Sequence, residues 1–181
     1  MDVTLKPLKD SELELLFAWR KIPEIWKYLP SYDVEGLTWP QHYAWFHSTR
    51  GSRVDWVVFV DDGYTKKRAV GSTHVDLLDT NSPEVGIFIV DKSVWGKGVG
   101  YRALKWTVDE VIRKGHRELF AVIHPDNLRS IRLFQKAKFI RVGEARNGQD
   151  LYKLDFKEQV VCEEKLTMRW PRKLETLEVM G

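Results

Sequence analysis

The chain of 181 residues carries a single cysteine, Cys162, which excludes an intrachain disulfide framework and suits a reducing compartment. Long apolar runs are also missing. No stretch approaches the roughly 18 uninterrupted apolar residues of a membrane span, and Met1 to Lys6 is too polar for a secretory leader. A cytoplasmic location with no membrane partner is therefore expected. Charge of one sign is not concentrated either. The net charge of +3 suits a protein that handles a small anion, yet is too weak to argue for nucleic acid. The basic runs Lys66 to Arg68 and Arg169 to Lys173 are short and read as solvated faces. His42 and His47 diverge around a helix, so no metal site is expected. Asn and Gln are scarce beside Lys, Arg and Glu, a composition that leans towards heat adaptation.

What is present is an ordinary folded composition, 43% hydrophobic and 30% charged. Val3 to Leu8 alternates as a strand. Ser11 and Glu14 have capping-box spacing ahead of a helix to Lys21, with Leu13, Leu16, Phe17 and Arg20 spread over one side. Pro23 restarts a short helical piece, Glu24 to Tyr28, which Pro30 ends. Thr38 and Gln41 cap a second, aromatic helix containing His42, Trp45 and Phe46. Strands follow at 55–61, 69–77 and 84–90. A helix spans Tyr101 to Lys114, with Gly115 beyond it as a C-cap. A strand at 119–123, a helix at 127–137 with Leu128, Ile131 and Phe134 inward, and two strands about the Asn147-Gly148 turn complete the order. This pattern predicts a mixed α/β (α+β) fold: a mostly antiparallel sheet, one parallel strand–helix–strand crossover between Glu84 and Ile123, and helices on both faces.

The run Val94-Trp95-Gly96-Lys97-Gly98-Val99-Gly100-Tyr101 sits between a strand and a helix. In that setting bare backbone N–H groups and a helix N-terminus converge on a phosphate. A plain strand-to-helix turn is the alternative. The loop is no nucleoside-triphosphate P-loop, because Lys97 is not followed by Ser or Thr.

The order and the glycines together resemble the GNAT superfamily of acetyl-CoA-dependent N-acetyltransferases, over roughly residues 2 to 156. Gly98 and Gly100 match the glycines of its Arg/Gln-x-x-Gly-x-Gly/Ala loop, while Trp95 stands where Arg or Gln is usual. A second block is matched by Asn127, Ser130, Leu133, Lys136 and Phe139, with Phe134 where many members have Tyr and Lys138 where Gly is usual. The N-terminal pattern is similar to the branch that holds ribosomal-protein N-terminal acetyltransferases, aminoglycoside acetyltransferases and enzymes acting on nucleotide-linked amino sugars.

The resemblance implies acetyl-CoA as cosubstrate, no metal, and an amine acceptor, either a peptide N-terminus or a small molecule. The implied organisation is a catalytic domain over residues 1–157 with an extension over 158–181, as a monomer or homodimer. Gly96, Lys97, Gly98, Val99, Gly100, Tyr101 and Arg102 are the expected cradle for the pyrophosphate, with Lys97 or Arg102 replacing the charge lost at Trp95. Asn127 and Ser130 are expected at the pantetheine arm, Asn127 also reading as a helix N-cap. The backbone of Phe88, Ile89 and Val90 is expected to supply the oxyanion donor. Glu84 is the expected general base, and His74 a second candidate with a structural histidine as its alternative. If the turn centres on 79–81, His74, Asp76 and Glu84 share one sheet face. An α-amino group, of pKa ~7.7–8.0, suits such a base better than a lysine of ~10.4. Phe134 leaves no tyrosine to protonate the departing thiolate. The aromatic first third (Trp19, Trp26, Tyr28, Tyr32, Trp39, Trp45, Phe46) reads as core or as acceptor platform. The short turn at Arg146 to Gly148 suggests no long flap. The alternative function is a catalytically weak or silent acyl-CoA-binding module.

Overall fold

The computed structural model describes residues 1–28 and 36–156. Pro30, Tyr32, the side chain of Trp26, Cys162 and the segment 158–181 lie outside the described residues. Seven strands form one sheet: β1 (Asp2–Pro7), β2 (Val54–Asp61), β3 (Arg68–Asp76), β4 (Glu84–Ile89), β5 (Glu118–Ile123), β6 (Ile140–Glu144) and β7 (Asp150–Asp155). Five helices join them: α1 (Leu13–Arg20), α2 (Pro23–Trp26), α3 (Trp39–Thr49), α4 (Val99–Arg113) and α5 (Leu128–Lys136). The sheet order is β1-β2-β3-β4-β5-β7-β6, and only β4 and β5 run parallel. The expected mixed sheet with one crossover is thus found. β7 inserts between β5 and β6, which leaves β6 at the edge.

Strand alternation sorts the two faces. Trp56, Val58, Val60, Val70, Val75 and Val85 turn to one side, against Ala103, Leu104, Val108 and Val111 of α4. The buried positions of α4 recur every three or four residues, which builds a continuous apolar stripe. Each Val or Leu of that stripe removed from water contributes roughly 1.5–3 kcal/mol. On the other face Leu13, Leu16 and Trp19 of α1 and Phe46 of α3 close over Val57, Phe59 and Phe88.

Several local readings shift. The capping box ahead of α1 uses Lys9 and Glu12 rather than Ser11 and Glu14: the Lys9 amide donates to Glu12 Oε2 at 2.9 Å. A turn of 3-10 helix at Asp10–Glu12 comes first, and in α1 Trp19 is buried with Leu13 and Leu16 while Phe17 and Arg20 are half-buried. The Thr38 cap forms as expected, its amide donating to Gln41 Oε1 at 2.8 Å. α4 starts at Val99, not Tyr101, because Gly98 serves as its N-cap in the left-handed region, at φ 79°. Leu128 is not inward; it is 59% exposed in the first turn of α5. Asn147 and Gly148 both take positive φ, at 61° and 68°, as their turn requires. Among the described residues no helix is long and apolar enough to cross a membrane.

His42 in α3 is fully buried among Phe17, Trp39 and Trp45. Its Nδ1 lies 3.3 Å from Arg20 Nη1, which can only donate, so the ring is neutral with its proton on Nε2. Burial, aided by the Arg20 charge, pushes the imidazole down to about 4. The unfolded chain, with an ordinary histidine near 6.5, then binds more protons than the folded one between those values. Stability is complete above the ordinary value and is lost as pH falls towards the lower one. The loss reaches roughly 3 kcal/mol for this group. Urea unfolding at a series of pH values is expected to show the midpoint dropping as pH falls from about 6.5 to 4.5. His42→Phe should flatten that slope, and an unchanged slope in the variant refutes the assignment.

Candidate active site

β4 and β5 meet at one register, Glu84 against Phe120, where the Phe120 amide donates to the Pro83 carbonyl at 2.9 Å. Beyond that point the strands part, and a cleft of about 820 Å³ opens, lined by Ile87 and Ile89 of β4, the glycine loop, and the start of α5. Parting leaves the β5-facing edge of β4 without a ladder partner. The antiparallel ladder with β3 decides which groups lie on that edge. Val90 donates to the Val70 carbonyl at 2.8 Å, so even-numbered β4 residues bond towards β3 and odd-numbered ones face the cleft. Of Phe88, Ile89 and Val90, therefore, only Ile89 turns its amide into the cleft. Ile87 joins it, a residue the sequence reading missed although period-two alternation pairs it with Ile89.

The cleft's floor at the glycine loop combines two left-handed positions, Gly96 at φ 74° and Gly98 at φ 79°. Such a backbone turns successive N–H groups to one side, with the start of α4 behind them. Gly100 has an ordinary conformation, and a Cβ there would meet Leu133 Cδ2 at 3.6 Å, a normal contact. Val99 is buried in the core, and Tyr101 lines the cleft. Lys97 and Arg102 are exposed and do not line it; Arg102 Nη2 instead donates to the Lys97 carbonyl at 3.4 Å. The positive charge at the cleft comes from Lys27, Lys92, Arg129, Arg132 and Lys136. Lys92 is tied to Glu24 across the mouth at 2.6 Å. Nothing in the sequence pattern said what the arginines of α5 face.

Asn127 caps α5, its Oδ1 accepting from the Ser130 amide at 3.2 Å. Asn127 also lines the cleft, and its side-chain nitrogen is not used by the cap. Phe134 is buried edge-on against Phe139 at 5.0 Å and does not reach the cleft. Trp19 and Phe46 belong to the core between α1, α3 and the sheet, with Trp39 and Trp45 partly buried against it, whereas Tyr28 lines the cleft, its ring tilted against His124 with centroids 5.5 Å apart.

The α1–α3 face of β2, β3 and β4 carries the titratable cluster. Register places Asp55 against His74, His74 against Gly86, and Asp76 against Glu84, so His74, Asp76 and Glu84 do share one face. Arg53 holds both aspartates, through Nη2 to Asp55 Oδ1 and Nη1 to Asp76 Oδ1, each at 2.7 Å. His74 Nε2 lies 3.4 Å from Asp76 Oδ2. The ring keeps 23% of its side-chain surface exposed yet is hemmed in by protein, and burial, then Arg53 and Arg20, hold it well below the usual imidazole range. Gly86 makes room for it: a Cβ there would stand 2.3 Å from His74 Cε1.

This architecture, a strand pair parted at a glycine-rich helix start, defines an acyltransferase-type cleft. Residues 2–140 match the family described as acetyltransferase (GNAT) domain, and the chain belongs to it. A protein of Methanocaldococcus jannaschii described as uncharacterized is 33% identical over 153 residues, covering 84% of this chain. The chain spans about a third of that relative's length, 31%. The crystal structure of a domain from the same organism superposes with a TM-score of 0.80 at 34% identity, covering 85% of this chain and 98% of that one. Spermidine N-acetyltransferase from Vibrio cholerae, solved with CoA and spermine, gives 0.69 at 15% identity over 83% of this chain and 92% of its own. An aminoglycoside acetyltransferase solved with coenzyme A and kanamycin gives 0.69 at 17% identity over 87% and 98%.

The glycines separate by what they do. Gly98→Ala is expected to lower the melting temperature, since αL geometry costs a Cβ-bearing residue about 1–2 kcal/mol, while Gly100→Ala leaves it near wild type. Gly86→Ala should move the His74 imidazole signals in NMR spectra, and unshifted signals would show that the ring does not depend on that gap.

Proposed function

We propose that this chain transfers acetyl from acetyl-CoA to a primary amine by direct attack in a ternary complex. The observation that carries the reading is the parting of β4 from β5 beside a glycine-rich helix start ringed by cations, a shape matched to a long polyanion with a thioester at its narrow end. The Gly96–Gly98 backbone and the α4 N-terminus hold the pyrophosphate. The Asn127 amide nitrogen donates to the pantetheine arm. The Ile89 amide, with Ile87 beside it, polarises the thioester carbonyl as negative charge develops on its oxygen.

The neutral amine attacks the carbonyl carbon, a C–N bond forms and the C–S bond breaks. The amine proton passes to Glu84, directly or through one water, and the thiolate leaves without a tyrosine at Phe134. A thiol of pKa ~8.5 is a tolerable leaving group near neutrality. His74, held neutral and weakly basic beside Arg53, serves better as a support for Asp76 and Gly86 than as the base. The acceptor is a small-molecule amine or a peptide N-terminus, entering from the α1–α3 side.

Calorimetry with acetyl-CoA followed by thiol release over a panel of amino sugars, polyamines and peptides tests the reading. A second reading, a silent acyl-CoA-binding module, draws on the burial of Phe134 where a proton donor is usual; tight binding with no release for any amine selects it. Glu84→Gln is expected to lower turnover about tenfold or more near neutral pH while cofactor affinity stays intact. A variant whose pH–rate profile matches wild type removes Glu84 from the mechanism.

A further inference from the structure

Trp95 occupies the loop position where an anion-binding side chain would be most useful, and its indole is not idle. Nε1 donates to the Ile89 carbonyl at 2.9 Å, which fixes the ring at the end of β4. The Arg129 guanidinium lies over that ring, its Cζ 3.9 Å from the centroid. Both residues line the cleft, beside Gly96 and Gly98. Of the other cations there, Lys92 pairs with Glu24 at 2.6 Å and lies 5.9 Å from the Trp95 ring centroid, Lys136 sits over Tyr101 at 4.8 Å and Lys27 over Tyr28 at 5.0 Å. Arg132 also lines the cleft but lies over no ring among the described residues. Arg129, in the first turn of α5 that Asn127 caps, has no carboxylate or carbonyl partner among the described residues.

We propose that Trp95 and Arg129 form a composite phosphate anchor: the indole plate orients Arg129, and Arg129 binds the cofactor pyrophosphate above the glycine loop. The assignment rests on the acetyl-CoA reading of the same cleft. Stacking leaves the edge of a guanidinium, with its fork of N–H donors, free for two parallel bonds to phosphate oxygens. The plate also removes most of the conformational freedom that an exposed arginine would lose on binding. Trp95 is therefore a positioning residue, and Arg129 the contact. This division explains how the loop works without charge at position 95, and why Arg102 can turn away to the Lys97 carbonyl.

The test is calorimetry of the full chain with CoA, 3′-dephospho-CoA and pantetheine. Arg129→Ala is expected to weaken CoA and 3′-dephospho-CoA alike, by about 10- to 100-fold as a charged hydrogen bond is lost, and to leave pantetheine unchanged. Trp95→Phe keeps a plate and should bind within about threefold of wild type. Trp95→Ala should resemble Arg129→Ala, and the double variant should be no worse than the stronger single, as coupled residues require. Circular dichroism checks that each variant folds, and Arg129→Ala, at an exposed position, carries the test if Trp95→Ala does not fold. Loss for CoA but not for 3′-dephospho-CoA overturns the proposal in favour of a 3′-phosphate contact. Additive losses, or an unimpaired Arg129→Ala, also overturn it while wild-type binding preserves the acetyl-CoA reading. A wild-type chain that binds none of the probes refutes that reading and this one together.

Discussion

The single-register meeting of β4 and β5 is the constraint on which the site depends. A parallel pair needs its crossover helix to return across the sheet, and α4 does so while its glycine-capped start stays at the carboxyl end of β4. Had the ladder continued past Glu84 and Phe120, the Ile87 and Ile89 amides would be bonded to β5 and no cleft would exist. Because it stops, β4 presents an unpaired edge inside the molecule, and backbone polar groups there require other partners. Trp95 Nε1 satisfies the Ile89 carbonyl. On the proposed reading, the remaining edge receives the amide-bearing arm of the cofactor.

The opposite face of the same strands obeys a different constraint. Arg53 and Asp55 are almost wholly enclosed, with side-chain exposures of 11% and 3%. Enclosed charges are tolerable only when paired with good geometry, and the Arg53 fork supplies it to two carboxylates at once. That pairing fixes the ends of β2 and β3, which in turn places Asp76 opposite Glu84 and His74 opposite Gly86. The candidate base therefore stands at the strand end nearest the point where the cleft begins. The cleft lies along one edge of the sheet and the titratable cluster on one face of it, and β4 is common to both.

Much of this was legible from residue pattern. The apolar alternation of β2 to β4, the α4 stripe and the glycines ahead of it are local signals, each set by neighbours within a few residues. The Thr38 cap and the Asn147-Gly148 turn were legible for the same reason. Readings failed where a distant contact decided. Leu128 fits an inward helical position but lies over the cleft, and the Ser11 spacing yielded to Lys9 and Glu12 once a 3-10 turn preceded α1. Lys97 and Arg102 were the natural candidates for replacing charge at Trp95, being close in sequence. The charge nearest Trp95 is Arg129, at 3.9 Å from the ring centroid against 5.9 Å for Lys92; it is more than thirty positions away, and a residue-by-residue reading has no signal for that pairing.

Pattern alone was sufficient for the element order, the parallel crossover and the glycine-rich helix start, because periodicity and turn chemistry are encoded within short windows; the shared face of His74, Asp76 and Glu84 was conditional on a register that the β3–β4 pairing supplied. Tertiary structure alone decided three things: that β7 inserts beside β5, that β4 and β5 part after one register, and that Trp95 and Arg129 stack. Each depends on which segments meet across the sheet. Those meetings are settled by the joint packing of α4 and α5 against one core, a condition that no window of the chain contains.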